Sequence, residues 1–119
     1  MSAKNITLFG IPNCDTVKKA RKWLEANGIE FTFHDFRKDG LEPKQVKQWI
    51  DALGWETVLN RKGTTWRKLP DDVKAGVNAT TITALLVEQP TLIKRPVLVG
   101  AGTVRCGFNE ADYQAAFNG

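Results

Sequence analysis

The sequence predicts an α/β fold in which a small mixed four-stranded sheet is flanked by helices and interrupted by an all-helical insertion. Three observations support this prediction. A strand–helix–strand pattern occupies the first part of the chain, only helical patterns follow from about residue 41 to about residue 90, and a β-hairpin pattern with a final helix completes it. A strand–helix–strand unit makes its strands parallel, and a hairpin adds antiparallel ones, so we expect a mixed sheet.

The length and composition are typical of one domain with its own hydrophobic core. The chain has 119 residues, of which 42% are hydrophobic and 25% charged, with a formal net charge of +4. We therefore expect a single domain spanning residues 1–119, with the helical insertion inside it. The two cysteines are far apart and no signal-peptide pattern is found, which predicts a cytoplasmic protein. Membrane-spanning runs are lacking, and interleaved charges disfavour nucleic-acid binding.

The first strand and the first helix place Cys14 at their junction. The apolar run at 6–9 predicts a strand, the Gly-Ile-Pro-Asn segment at 10–13 predicts a turn, and a helical pattern begins near Asp15. Unpaired backbone N–H groups and the helix dipole favour an anion at such a position, so we expect a reactive thiolate. An inert buried cysteine is the alternative, because free cysteines are among the most buried residues.

The pattern continues through one helix and a second strand. Asn27-Gly28 predicts the end of the helix, and alternating apolar and polar residues at 29–34 predict a strand parallel to the first. Parallel strands of this kind keep their sites at the carboxyl edge of the sheet, where Cys14 is expected. The inward-facing residues of the helix are expected to be Val17, Ala20, Trp23 and Leu24.

The middle of the chain contains several helical patterns. Pro43 suits the first position of a helix that Gly54 ends. A short helical piece is expected after Gly54, followed by an irregular basic loop at 60–68. A further short helix is expected to start at 70–72, and Thr80 or Thr81 is expected to cap another.

The last part of the chain predicts a hairpin and a final helix. Pro90 closes the preceding helix, and Pro96 stands at the entrance of an apolar strand, where a cis peptide bond is plausible. Gly100-Ala-Gly102 predicts the hairpin turn, and 103–108 the partner strand. Asn109, three residues before Asp112, predicts a capped helix start.

Two groups of segments carry a family resemblance. The first group comprises 13–20, 59–63, 92–97 and the terminal strand and helix, and the second comprises 34–41, 53–56 and 63–69. The first group resembles the ArsC family, a thioredoxin-fold group that includes glutaredoxin-coupled arsenate reductases and Spx regulators. The resemblance covers almost the whole chain and implies a thioredoxin-like fold. Through the second group, the chain most resembles the YffB branch of the family, for which a glutathione-dependent thiol reductase role has been proposed.

The resemblance implies a set of site residues. Cys14 matches the nucleophile of the family, and Arg61 and Arg95 match two of its oxyanion-binding arginines. Asn13 could present its amide to the substrate, and Pro96 is expected to be structural at the site. For each arginine the alternative is a surface ion pair, and the turn preference of asparagine explains Asn13 equally well.

Two positions depart from the pattern of the family. Gly107 stands where arsenate reductases have a third arginine, so an oxyanion site would have one cation fewer. Val17 stands where Spx regulators have the second cysteine of a Cys-x-x-Cys pair, so a disulfide across the first turn of the helix cannot form. Resolution of a mixed disulfide on Cys14 would then need an external thiol, such as glutathione.

The resemblance implies a monothiol, glutathione-dependent thiol-disulfide reductase. Two alternatives stay open, an arsenate reductase coupled to glutathione and glutaredoxin, and a non-catalytic transcription adaptor of the Spx kind. We expect no bound cofactor, glutathione as co-substrate, glutaredoxin or a protein disulfide as possible partner, and a monomer.

The remaining candidates have simpler explanations. Cys106 is expected in the core of the last strand, and His34, the single histidine, is expected to be structural or on the surface, because no metal-ligand pattern surrounds it. The basic cluster at 61–68, which includes Trp66, could touch nucleic acid, but a solvated loop with a packed tryptophan is the commoner outcome.

Overall fold

The chain forms two compact units in the computed structural model, which describes residues 6–100 and 103–118. The sheet unit comprises Met1–Gly40 and Arg95–Gly119, and the helical unit comprises Leu41–Lys94. The sequence-based expectation of a single domain stays a prediction. In the described residues, no helix has the length and apolar character needed to cross a membrane.

The sheet unit is built on a mixed sheet with the strand order β2-β1-β3-β4. β1 pairs with β2 in parallel and with β3 in antiparallel orientation, and β3 pairs with β4 in antiparallel orientation. This arrangement confirms the predicted thioredoxin-like α/β fold. The strands are β1 Thr7–Gly10, β2 Thr32–Asp35, β3 Val97–Gly100 and β4 Thr103–Cys106.

The register of the sheet brings one end of each of the four strands to the same edge. Gly10 at the end of β1 is paired with Asp35 at the end of β2. Val97 at the start of β3 is paired with Phe9 on one side and with Cys106, the end of β4, on the other. The turn before α1 and the segment before β3 therefore lie at the same edge of the sheet.

Helices α1 (Asp15–Ala26) and α7 (Glu110–Asn118) pack their apolar residues on this sheet. As predicted, Gly28 follows the end of α1 with a positive φ of 68°, and the side chain of Asn109 accepts a hydrogen bond of 3.2 Å from the N–H of Asp112. The common core consists of Ile6, Leu8, Ala20, Leu24, Leu98 and Tyr113.

The ends of the predicted strands differ slightly from the structure. β1 and β2 begin later than their apolar patterns, and β4 ends at Cys106 instead of at Phe108. Gly107, with a positive φ of 80°, turns the chain out of the strand. The predicted hairpin turn includes residues 101 and 102, which lie outside the described residues.

The helical unit contains five helices and a 3₁₀ turn. Pro43 is the first residue of α2, as predicted, and Glu42 and Gln45 form a capping box before it. The elements are α2 Pro43–Leu53, α3 Trp55–Val58, α4 Thr64–Arg67, α5 Asp71–Ala75, α6 Ile82–Glu88 and the 3₁₀ turn Pro90–Leu92.

The prediction of an irregular loop at 60–68 is wrong, because α4 lies inside it. Threonine is a poor helix former, so the two threonines of α4 do not predict a helix. One long-range and one local hydrogen bond hold the segment instead. The Thr65 and Thr91 hydroxyls are 2.9 Å apart, and Arg67 Nη2 donates to the Lys62 carbonyl at 3.0 Å.

The predicted cap of α6 is only partly correct. Thr81 occupies the N-cap, but its side chain makes no capping hydrogen bond. The Thr81 hydroxyl donates to the Gly76 carbonyl at 2.9 Å, while Asn78 Oδ1 accepts from the N–H groups of Thr80 and Thr81. An asparagine turn therefore starts this helix, which is a common competitor of threonine capping.

Candidate functional site

Cys14 is the N-cap residue of α1 and is half-buried. Its N–H donates to the Ile11 carbonyl at 3.2 Å, which closes the turn after β1. Its carbonyl accepts the first helical hydrogen bond, from the N–H of Lys18 at 2.9 Å. The turn and the helix start together fix the cysteine at the edge of the sheet, as the sequence predicted.

Arg95 reaches Cys14 from the segment before β3. Burial raises the pKa of the Cys14 thiol, whereas the Arg95 guanidinium lowers it, because both its hydrogen-bond donors and its positive charge favour the thiolate. The Arg95–Pro96 peptide bond is cis, and the Pro96 carbonyl accepts a 2.8 Å hydrogen bond from the N–H of Gly107. Pro96 is buried, so the arginine extends from a fixed point of the backbone.

The pKa of the Cys14 thiol is below its ordinary value. Burial raises the pKa, but three groups together outweigh it, namely the N–H of Val17, the Arg95 guanidinium and the N–H of Thr16. Thr16 and Val17 are the second and third residues of the helix, where an N-cap side chain finds its donors. The Cys14 side chain makes no capping hydrogen bond of ordinary geometry. We therefore attribute the lowered pKa to the attraction of these nearby donors for the negatively charged thiolate.

This arrangement provides a nucleophile that ionises more readily than an ordinary cysteine thiol. The thiolate is the reactive form in exchange with disulfides, and a partly exposed cysteine next to a cation and a helix N-terminus is typical of reactive ones. The structure thus brings together Cys14, Arg95 and Pro96 of the predicted site residues.

Arg61 lies in the helical unit, where two tryptophans hold its guanidinium. Its Cζ is 5.4 Å from the ring centroid of Trp55 and 5.7 Å from that of Trp66. Lys74 Nζ lies 5.9 Å from the same Trp66 ring. The role of Arg61 as an anion partner stays a prediction. Trp66 is half-buried, and Arg61 and Lys74 lie over its ring.

The other singled-out residues have plain structural positions. Asn13 is exposed in the turn before Cys14, next to it in sequence. His34 Nε2 lies 2.6 Å from the Gly40 carbonyl and its ring packs on Phe9 at 4.7 Å, in agreement with a structural role. Cys106 is half-buried at the end of β4, less enclosed than the predicted core position.

The sequence predicts unpaired backbone N–H groups near Cys14, but the prediction does not say which residues carry them. Val17 was interpreted as a core residue and as the missing second cysteine, yet its N–H is the strongest of the groups that lower the pKa of Cys14. The signal was available, because an N-cap assignment for Cys14 implies donors at the second and third helical positions.

Arg95→Gln is expected to move the pH midpoint of Cys14 alkylation to higher pH. The variant loses a donor and a charge that favour the thiolate, so the thiolate fraction at neutral pH falls. A more basic thiolate is intrinsically more nucleophilic, so the net loss of rate at neutral pH should be only about three- to tenfold. Stopped-flow alkylation over a pH series measures both quantities.

Arg95→Lys is the matched control for this measurement. It keeps the charge and is expected to give a midpoint between those of the wild type and Arg95→Gln. An unchanged midpoint in Arg95→Gln would contradict the assignment of Arg95 as the side chain that stabilises the thiolate.

Comparison with known proteins supplies the family context of this site. The ArsC family model matches residues 9–116. An uncharacterised protein from Haemophilus influenzae is 49% identical over 112 residues, covering 94% of this chain and 98% of that protein. The global transcriptional regulator Spx from Streptococcus pneumoniae is 28% identical over 112 residues, covering 92% of this chain and 84% of that protein.

Solved structures also include close relatives of this chain. A structure named YffB protein superposes with a TM-score of 0.90 at 42% identity, covering 94% of this chain and 98% of that one. An arsenate reductase (ArsC) related protein from Brucella melitensis gives a TM-score of 0.76 at 46% identity, covering 98% of both chains.

Proposed function

Because the chain belongs to the ArsC family, we propose that it is an oxidoreductase, a glutathione-dependent thiol-disulfide reductase that acts through Cys14. The observation that carries this proposal is the position of Cys14 at the start of α1, where two backbone N–H groups and the Arg95 guanidinium outweigh burial and lower the pKa of its thiol. A family of reductases supports the general chemistry, and the stabilised thiolate supplies its nucleophile.

The proposed reaction has two exchange steps. The Cys14 thiolate attacks the glutathione sulfur of a mixed disulfide, the S–S bond breaks, and the other thiol leaves as a thiolate that takes a proton from water. Cys14 is then joined to glutathione by a disulfide. A second glutathione thiolate attacks that glutathione sulfur, which releases oxidised glutathione and restores the Cys14 thiolate. In sum, one free glutathione is consumed for each substrate thiol released, and the disulfide bond passes from the substrate to oxidised glutathione.

The choice of an external thiol follows from the first turn of α1. Val17 occupies the place where a second cysteine would resolve the intermediate, and it is fully buried. Glutathione is the abundant cytosolic thiol, and its two carboxylates suit guanidinium partners. Arg95 is one such partner, and Arg61 is the second that the family pattern predicts.

The proposal is tested by intact-mass analysis of the wild-type protein incubated with oxidised glutathione over a pH series. A lowered pKa means that the thiolate persists to lower pH, so the rate of adduct formation should stay on its plateau below the pH at which a free cysteine peptide loses reactivity. A pH profile that superimposes on that of the free peptide, or the lack of any adduct, would refute the proposal.

Arsenate reduction is a second candidate, favoured by the Brucella melitensis relative that is described as related to arsenate reductase. The position of the third arginine weighs against it. Gly107 is buried and has a φ of 80°, a conformation in which an arginine would be strained. Turnover of arsenate with glutathione and glutaredoxin would establish this activity, and no turnover would remove it.

A transcription adaptor is the candidate from a different class, favoured by the relatives named as global transcriptional regulators. The absence of a second cysteine at Val17 excludes a version switched by a disulfide across the first turn of α1. Co-purification of a transcription complex with the tagged protein would support this role, and failure to recover any polymerase subunit would oppose it.

A further inference from the structure

The solvent-facing side of α1 is strongly cationic. Three of its lysines are exposed and its arginine is half-buried, and only two carboxylates accompany them. The six side chains line one shallow, open depression on the surface of the sheet unit, namely Asp15, Lys18, Lys19, Arg21, Lys22 and Glu25.

Cys14, the N-cap of α1, directly precedes Asp15, the first residue of this cationic face. Residues four, seven and eight positions after an N-cap follow it on one side of a helix, and here these are Lys18, Arg21 and Lys22. At a rise of about 1.5 Å per residue they lie about 6 to 12 Å along the helix axis from Cys14. A ligand bound to Cys14 could therefore extend along the row of cations.

The lysines of this face are available for a ligand. Among residues 6–100 and 103–118, no carboxylate comes within ion-pair distance of Lys18, Lys19 or Lys22, and the ion pair that is formed joins Arg105 to Asp112. Lys18 and Lys22 are like charges at a spacing of four, a pairing that destabilises a helix. Helix stability therefore does not account for the pair.

Arg21 is held in place on the same face. Its Cζ lies 4.5 Å from the ring centroid of Phe33 in β2. A guanidinium that stacks on an aromatic ring keeps its charge and its hydrogen-bond donors at the rim. Arg21 thus offers a pre-oriented cation beside two flexible ones.

We propose that this face of α1 is the docking surface for an acidic polypeptide segment, whose cysteine is the thiol joined to glutathione in the disulfide that Cys14 attacks. The inference rests on the proposed function and specifies its substrate class. Carboxylates of the segment would lie along Lys18, Arg21 and Lys22 while its sulfur lies at Cys14.

The charges favour a polypeptide over glutathione as the occupant. Glutathione has two carboxylates and one ammonium group, a net charge of only about −1 at neutral pH, whereas α1 presents four cations against two carboxylates. A run of acidic residues has the several negative charges that such a row can bind. Opposite charges of this kind act mainly on the rate of encounter.

The chemistry favours a polypeptide over a nucleic acid. A row that ends at a nucleophilic sulfur fits a ligand that carries sulfur. Single-stranded nucleic acids also use exposed aromatic rings, but the tryptophan of α1, Trp23, packs edge-on against Tyr113 at 5.6 Å and beside Phe117 at 6.0 Å. Asp15 and Glu25 would repel a continuous phosphate backbone.

The bond changes are those of the first exchange step. The new bond joins Cys14 to the glutathione sulfur, the broken bond is the peptide–glutathione disulfide, and the peptide leaves as a thiolate that is protonated by water. No additional oxidant or reductant is needed, since glutathione regenerates Cys14 afterwards.

The test compares three peptides of equal length, each with one cysteine in a disulfide with glutathione and with acidic, neutral or basic flanks. The measured quantity is the second-order rate of peptide release by the wild-type protein at low and high salt. We expect the acidic peptide to react on the order of tenfold faster than the neutral one at low salt, the basic one to react more slowly, and the differences to shrink at high salt.

Two double variants localise the effect. Lys18→Gln with Lys22→Gln should reduce the preference for the acidic peptide to about twofold or less. Lys44→Gln with Lys47→Gln removes two exposed lysines from α2, also lowers the net charge from +4 to +2, and should keep the preference. An equal loss in both variants would mean that net charge alone acts, and would overturn the proposal.

Other outcomes separate this inference from the proposed function. Equal rates for the three peptides, with Cys14 reactive toward all, would overturn the docking surface and leave the reductase intact. No reaction with any peptide or with oxidised glutathione would overturn both. Stronger inhibition by a single-stranded oligonucleotide than by an acidic peptide without cysteine would also overturn the proposal, because the face would then prefer phosphates.

Discussion

Replacing Cys14 by serine is expected to abolish both the glutathione adduct and all thiol-disulfide turnover. An alcohol is not ionised near neutral pH and its oxygen cannot enter disulfide exchange, so the loss should be complete within detection. The fold should survive, because Cys14 is the N-cap of α1 and serine is a preferred residue there. Intact-mass analysis and a coupled turnover assay measure the loss.

Cys106→Ser is the matched control, since it removes the second sulfur with the same atom change. Cys106 is half-buried at the end of β4, so its variant is compared with the wild type only after circular dichroism confirms folding. It should still form one glutathione adduct and turn over. An adduct that survives in Cys14→Ser, or that disappears only in folded Cys106→Ser, would show that Cys106 and not Cys14 is the reactive cysteine.

Gly10→Ala is expected to destabilise the protein by about 1–3 kcal/mol. A Cβ at Gly10 would lie 2.8 Å from Cγ2 and 3.4 Å from Cγ1 of Val17, closer than side chains normally approach. Val17 is fully buried, so it cannot move away freely. The first turn of α1 would have to shift from the end of β1, and the Thr16 and Val17 donors would shift with it. Urea unfolding measures the stability.

A double-mutant cycle with Val17→Ala checks the cause. Val17→Ala removes both Cγ atoms, so that of the three nearest atoms only the Val17 Cβ would remain, at 3.7 Å from the new Cβ of Gly10→Ala. Gly10→Ala should therefore cost much less in the Val17→Ala background than in the wild type. Equal costs in both backgrounds would show that this contact does not explain the glycine. Cys14 alkylation in Gly10→Ala should also be slower than in the wild type.

The sequence was most informative where periodicity was regular. β1, α1 and β2 were predicted because their apolar residues recur at strand or helix spacing, and α2 because Pro43 and Gly54 mark its ends. The helix α4 was not predicted because its residues have weak helix propensity; the Thr65–Thr91 hydrogen bond joins it to a distant part of the chain. Such tertiary contacts override local preference and leave no local pattern.

The candidate site also combines features that local sequence predicts with features that depend on tertiary contacts. The position of Cys14 at the start of a helix follows from local sequence, and Arg95 beside Pro96 was found through the family pattern. The balance that lowers the pKa of the thiol depends on burial and on the positions of two N–H groups, which only a folded chain provides. The packing of Arg61 between Trp55 and Trp66 likewise joins residues whose meeting no spacing rule predicts.

The left-handed backbone at Gly107 limits how this protein could be engineered toward oxyanions. Gly107→Arg would add the missing guanidinium at a position where a side chain costs about 1–2 kcal/mol in backbone strain, and where the N–H is already committed to the Pro96 carbonyl. A route to arsenate chemistry would therefore have to remodel the exit of β4 before it could gain a cation.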